Sequence, residues 1–398
     1  MIIKRLNSVI LIILFSITPF IQSATDVGIA KRLSINLLPP EISSFAGNLR
    51  WIIYALLILI FLNKIQKYFT KVEHAYLMVS AFYLVQLVYA FGTQTDLFRY
   101  VGLFILSIVL PFFIYLTFSN ENTFLLIKYL RIITYLLIVG SVIINIQMIF
   151  NGYRFQGFSN NPNLYGVTAI FWLSILLIPS NGSHTRILNL NNTFIVILLI
   201  TIFLSGSRNA LVGVFIVLIF QYRSNLKKSV FPLIVFGGLG YYLSGIENLN
   251  FIVDRYLNIS NAIGDTGRNI AWEKAMNNIN QTLLWGNDMN APLRILNTGN
   301  VHNCYLRFLL SMGLIFTIFS FVFYGRYIRI ILSRKYRVVP PSLIAFIVAF
   351  TIMNFGEDFF VGMGSSVIIY FFMIIGLISF YISDSLNSNN NGIVHRSI

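Results

Sequence analysis

Three short polar stretches interrupt an otherwise apolar chain of 398 residues, and each carries groups able to bind an anion or move a proton. The first is Arg154-Phe155-Gln156-Gly157-Phe158-Ser159-Asn160-Asn161-Pro162-Asn163. The second is Ser205-Gly206-Ser207-Arg208-Asn209-Ala210, and the third is Val301-His302-Asn303-Cys304-Tyr305-Leu306. Asn161 before Pro162, Ser207 and Asn303 are residues whose side chains accept hydrogen bonds from the first backbone N–H groups of a helix. The Ser-Gly-Ser break also presents backbone N–H groups beside the Arg208 guanidinium, a pairing suited to phosphate-like anions. His302 at a helix start is a candidate to take a proton from an attacking hydroxyl, and Glu357 or Asp358 is a candidate to orient it or to act as the base instead.

Each feature has a plainer reading. A lone arginine near a helix end can snorkel to headgroups, a loop histidine needs no role, and a cap need only close a helix. The cap reading stands but leaves Arg154, Gln156 and three asparagines unexplained, and position ranks the functional readings of Arg208 and His302 first, because unpaired polar groups at a membrane edge are costly and these lie on one side of it. Helices beginning at 162, 208 and 304 all run in the same direction, so their positive ends add at one face. If packing brings them together, Arg154, Arg208 and His302 form an anion-binding pocket there, with Asn161, Asn163, Ser207 and Asn303 lining it.

The elements that must position these residues are membrane spans. Hydrophobic residues make up 57% of the chain and charged residues 10%, which excludes an ordinary soluble enzyme. Apolar runs recur at about 6–24, 43–62, 74–91, 98–118, 124–150, 164–179, 193–222, 230–245, 303–323, 340–356 and 365–382. The first has the basic start and small-residue end of a signal peptide, but the absence of a soluble domain after it favours a retained span. The run 193–222 is too long for one crossing, and Gly206 with Ser207 divides it into 193–205 and 208–222. Twelve spans result, with both termini cytoplasmic.

That number also places Lys4/Arg5, Lys64/Lys67/Lys71, Arg223/Lys227/Lys228 and Arg326/Arg329/Arg334/Lys335/Arg337 in the cytoplasm, as the positive-inside bias requires. The net charge of +15 is therefore mostly orientation and implies no nucleic-acid partner. The expected organisation is an all-α polytopic bundle over 1–382, including a long outer loop at 246–302 that carries short helices, and a disordered tail at 383–398. Within the loop, Trp272, Ala275, Met276 and Ile279 share a stripe with Arg268, which fits a helix lying on the membrane surface or one packed on the bundle. With Cys304 as the one cysteine, no intramolecular disulfide or cysteine metal cluster can form.

In order along the chain, Arg154 with Gly157-Phe158-Ser159-Asn160-Asn161-Pro162-Asn163, Ser207-Arg208-Asn209-Ala210, Gly267-Arg268 with Trp272, and His302-Asn303-Cys304-Tyr305-Leu306 with Gly313 resemble the O-antigen ligase and polymerase superfamily (Wzy_C-like). The resemblance covers about 150–325, while the earlier spans are similar only in hydropathy. It implies a glycosyltransferase facing the periplasm from a Gram-negative inner membrane, using an undecaprenyl pyrophosphate-linked glycan as donor and neither metal nor nucleotide cofactor. It carries the pyrophosphate-contacting role onto Arg208, supported by Arg154 and Arg268, and the acceptor-activating role onto His302.

The acceptor implied is either another lipid-linked repeat, for a polymerase, or lipid A core, for a ligase. The stretch Phe158 to Asn163 and the chain length favour the polymerase. Functional partners implied are a flippase and a chain-length regulator. A lipid-linked oligosaccharide flippase is the alternative from another class, disfavoured because the charges sit at one edge and no internal repeat is visible. An intramembrane serine protease is disfavoured further, because Ser205 or Ser207 would need a histidine on its own side and the nearest in sequence, His184, belongs to the opposite face.

Overall fold

The computed structural model describes residues 2–21, 38–68, 74–151, 153–159, 161–179, 185–223, isolated positions between 234 and 245, and 250–257, 267–296, 301–333, 338–361 and 365–390. The expected span at 230–245, Asn160, His184, the loop parts at 258–266 and 297–300, and the end of the tail at 391–398 lie wholly or largely outside these residues.

Among the described residues there is no strand, and the chain is an all-α membrane protein. Its helices are α1 (Ile2–Ile17), α2 (Pro40–Tyr68), α3 (Leu77–Thr93), α4 (Leu97–Asn120), α5 (Thr123–Phe150), α6 (Pro162–Leu176) and α7 (Thr185–Leu204). After them come α8 (Arg208–Gln221), α9 (Asn250–Leu257), α10 (Gly267–Gln281), α11 (Ala291–Leu296), α12 (Cys304–Ile331), α13 (Pro341–Met353) and α14 (Ser366–Asn390). Among the described helices six are long and apolar enough to cross a membrane: α2, α3 with its preceding turn, α4, α5, α12 and α14. Shorter apolar helices lie at Leu6–Phe20, α6, the second part of α7, α8 and α13.

Helices of similar composition occupy different places. The most apolar stretch of α14 is 94% buried by other helices, whereas that of α2 is 22% buried and presents Phe45, Ile52, Leu59 and Leu62 outward. Apolarity all round suits both fates, since lipid and protein are alike to a leucine; packing decides which helix becomes the centre. Around α14 gather α4, α6 and α13, with Phe171 stacked on Tyr370 at 3.9 Å and Phe350 on Phe371 at 4.5 Å. The helix also continues past Asp384 to Asn390, into the stretch expected to be a disordered tail. Extending a formed helix adds one hydrogen bond per residue fixed, so polar residues can follow an anchored span.

Three neighbours, α6, α8 and α13, are short. At 15, 14 and 13 residues they rise about 20–23 Å, less than the roughly 30 Å of a hydrocarbon core. Arg223 is exposed just beyond α8, and the opposite end of α8 lies beside the start of α6 and the turn after α13.

Among the described helices, the large departure from regular geometry is in α12. Gly313 has φ +69°, and the turn 282–287 passes through the break. Leu314 N–H donates to the Leu283 carbonyl (2.7 Å) and Ile315 N–H to that of Leu284 (3.3 Å), while Asn287 N–H donates to the carbonyls of Leu310 and Ser311. Backbone groups freed by the break are thereby paired, as irregular backbone within a membrane requires. A Cβ on Gly313 would stand 2.3 Å from the backbone nitrogen of Gly286. Gly313→Ala is therefore expected to cost at least about 1–3 kcal/mol, whereas Gly325→Ala on the same helix, where a Cβ meets nothing within 4 Å, should be harmless. Thermal unfolding of the purified protein in detergent compares the two.

α10 packs on α12. Ala271, Ala275 and Ile279 are buried with Val301 and Leu310, and the Trp272 indole donates to the Val301 carbonyl (2.9 Å). Of the two placements open for this helix, the structure takes the one on the bundle; Met276, expected on the buried stripe, is turned outward and 45% exposed.

Candidate functional site

The starts of α6, α8 and α12 are built as their sequences imply. Asn163 N–H donates to the Asn161 side chain (2.8 Å), Ala210 N–H to Ser207 Oγ (3.4 Å) and Leu306 N–H to Asn303 Oδ1 (3.1 Å). Before α8, Gly206 adopts φ +60°, closing α7 and turning the chain so that Ser207 can cap the next helix. His302 has φ +53°, a left-handed conformation uncommon for a residue with a side chain, immediately before the Asn303 cap.

What joins these starts is Glu357, in the turn after α13. Its side chain is 6% exposed and is reached from three separate elements. Arg268 of α10 donates to Oε1 at 2.8 Å, Asn163 of α6 donates to the same oxygen at 2.7 Å, and His302 Nδ1 lies 3.4 Å from Oε2. The Glu357 carbonyl also accepts from Cys304 N–H at the start of α12 (3.2 Å). Asn163 continues the chain of contacts, accepting at Oδ1 from Arg154 (3.2 Å), whose Nε donates to the Ser205 carbonyl in the α7–α8 turn (2.7 Å). One carboxylate thus ties together segments that are up to 194 positions apart in sequence.

Arg208 is half-buried and opens α8 within this arrangement. The next residue, Asn209, is so close to Gly356 that a Cβ there would stand 2.2 Å from its side chain. A Cβ on Gly166 would likewise stand 2.5 Å from the Ala210 Cβ, so α8 is pressed against both α6 and the turn that carries Glu357. Arg268 and His302 therefore meet the Glu357 carboxylate directly and Arg154 reaches it through Asn163, while Arg208 opens α8 beside the turn that carries it. The arrangement favours an anion, from guanidinium charge and three helix N-termini at one place.

Asp358 behaves differently from Glu357. It pairs with Arg307 at 2.9 Å and also accepts from Val301 N–H (3.4 Å), fixing the chain just before His302 rather than touching the imidazole. Of the two carboxylates open as His302's partner, the geometry selects Glu357. Asp96 and Arg99 pair with each other at 2.8 Å, away from Glu357's own contacts.

Some supporting residues escaped the sequence reading. Asn354 is fully buried; its carbonyl accepts from Cys304 N–H (2.9 Å), and its side-chain oxygen accepts from the backbone N–H groups of Phe359 and Phe360. It holds the turn carrying Glu357 against the start of α12. Asn145, buried in α5, donates to the Gly157 carbonyl and accepts from Gln156 N–H, clamping the segment after Arg154. Arg307 had a legible signal, since an arginine one turn inside an apolar span demands a buried acid.

Among the described residues, no group of three His, Cys, Asp or Glu side chains is placed to hold a metal ion. No protein-family model matches the chain, and no curated protein matches it.

Proposed function

We propose that this chain is a membrane glycosyltransferase of the O-antigen polymerase and ligase type, transferring an undecaprenyl pyrophosphate-linked glycan to a lipid-linked repeat at the periplasmic face of the inner membrane. The observation that carries this reading is the meeting of three helix N-termini, Arg154, Arg268 and a His302–Glu357 pair at one end of the bundle, with Arg208 opening the helix beside them. The twelve-span arrangement, with both termini cytoplasmic and 246–302 outside, orients that end to the periplasm. A site at that end suits a donor whose pyrophosphate lies at the membrane surface and whose tail is in lipid.

In this mechanism His302 donates its Nδ1–H to Glu357, which leaves the Nε2 lone pair as the proton acceptor. Nε2 takes the proton of an acceptor sugar hydroxyl as its oxygen attacks the anomeric carbon of the donor. The bond from that carbon to the pyrophosphate oxygen breaks, and the electron pair leaves on the pyrophosphate. Configuration inverts, in a single displacement. Charge developing on the leaving group is met by Arg208, with Arg154 and Arg268 in support, and by the backbone N–H groups at the start of α8.

Deleting the gene and resolving lipopolysaccharide on a gel tests the reading. The expected pattern is core carrying one repeat and no ladder, the result of losing a polymerase. Unsubstituted core with lipid-linked glycan accumulating would assign the ligase reaction instead, and an unaltered ladder would remove the chain from both.

A further inference from the structure

The turn threaded through the Gly313 break is the most apolar part of the connection between α10 and α12, and it is not turned inward. The side chains of Leu283, Leu284 and Trp285 leave these residues 46%, 53% and 63% exposed, although the Leu283 and Leu284 carbonyls and Asn287 N–H are bonded to the backbone of α12. The Tyr89 hydroxyl lies 2.8 Å from the carbonyls of both Trp285 and Ser311, pinning the turn to α3 as well.

Depth follows from helix geometry. Arg326 and Arg329 are exposed near the far end of α12 and mark the opposite polar surface. Gly313 precedes Arg326 by 13 residues, a rise of about 20 Å, which places the crossing roughly 10 Å inside a 30 Å hydrocarbon core. Exposed apolar residues adjoin it on both helices, Val88 and Phe91 on α3 and, further along, Ile318 and Phe319 on α12, with exposed Gln94, Gln281 and Asn290 on the side toward the loops. The turn continues the outward face of two membrane-crossing helices.

We propose that Leu283-Leu284-Trp285 is a re-entrant wedge whose side chains contact the acyl chains of the bilayer, so that part of the long loop lies within the membrane rather than over it. The wedge directly follows α10, so lipid contact there fixes the helix that carries Arg268. The inference stands on backbone geometry and exposure and holds whatever reaction the protein catalyses.

Full-length protein reconstituted in phosphatidylcholine bilayers with brominated acyl chains tests it, with Trp285→Phe subtracted to isolate the Trp285 emission. Most of that emission should be lost to bromine, and aqueous iodide should leave it intact. Quenching by iodide without loss to bromine would overturn the wedge, as would resistance to both, which would mean that another protein surface covers it. A second variant avoids reliance on fluorescence. Leu284→Cys should resist a water-soluble maleimide in intact membranes and react after denaturation in detergent, with native Cys304 fully buried as the background. Prompt labelling in intact membranes would also overturn the proposal.

Discussion

Arg208→Ala is expected to abolish glycan elongation while leaving the protein in the membrane at its usual level. The residue opens α8, beside the Ser207 cap and one position before Asn209, which packs against the turn that bears Glu357. Its backbone place is set by the cap, so truncating the side chain removes charge without removing the helix start. Losing one preorganised donor to a developing anion costs roughly a hundred- to a thousandfold in rate. Arg208→Lys should recover little, because a point charge cannot reproduce the two parallel bonds of a guanidinium to phosphate oxygens. Elongation of defined lipid-linked repeats by purified protein measures both. A full ladder from the alanine variant would sink the pocket as drawn.

Glu357→Gln should be as damaging as His302→Ala, although it changes one atom and keeps the shape. The glutamine carbonyl can still accept from Arg268 and Asn163, but its amide donates to Nδ1 and reverses the imidazole tautomer, putting the proton on the nitrogen that must accept one. In hydrolases built on an acid–histidine pair this change costs on the order of ten-thousandfold. Residues acting as a unit are non-additive, so the double variant His302→Ala with Glu357→Gln should be little worse than either alone. Multiplying losses would show that the carboxylate acts on substrate independently of His302. Glu357→Ala should in addition destabilise the fold, since Arg268 would lose the buried partner at 2.8 Å.

The contrast between these residues shows what a single sequence can reveal. The Gly206-Ser207 break and the caps at Asn161, Ser207 and Asn303 were legible because capping is local: donor and acceptor are two or three positions apart. Asn163 was legible as a polar residue near a helix start and as a lining residue of the pocket, but not as a link to a carboxylate. Its partner Glu357 lies 194 positions away, and no periodicity links them. Glu357 and Asp358 were equivalent candidates in sequence, as neighbours with the same charge; the turn held by Asn354 sends one toward His302 and the other toward Arg307. The placement of α10 also stayed open, because an apolar stripe serves lipid or protein equally well. Gly286 and Gly313 each announce a special backbone, but their crossing is purely spatial.

The central position of α14 bears on how the molecule is made. Chains enter the membrane from the N-terminus onward, and α14 follows every other described helix in order of synthesis. Until it is inserted, α4 lacks its most extensive neighbour, while α6 and α13 have α8 and each other to pack on but not α14. The turn bearing Glu357 also emerges late, just ahead of it. Arg268, and Arg154 through Asn163, therefore spend their first moments without the carboxylate that later holds them.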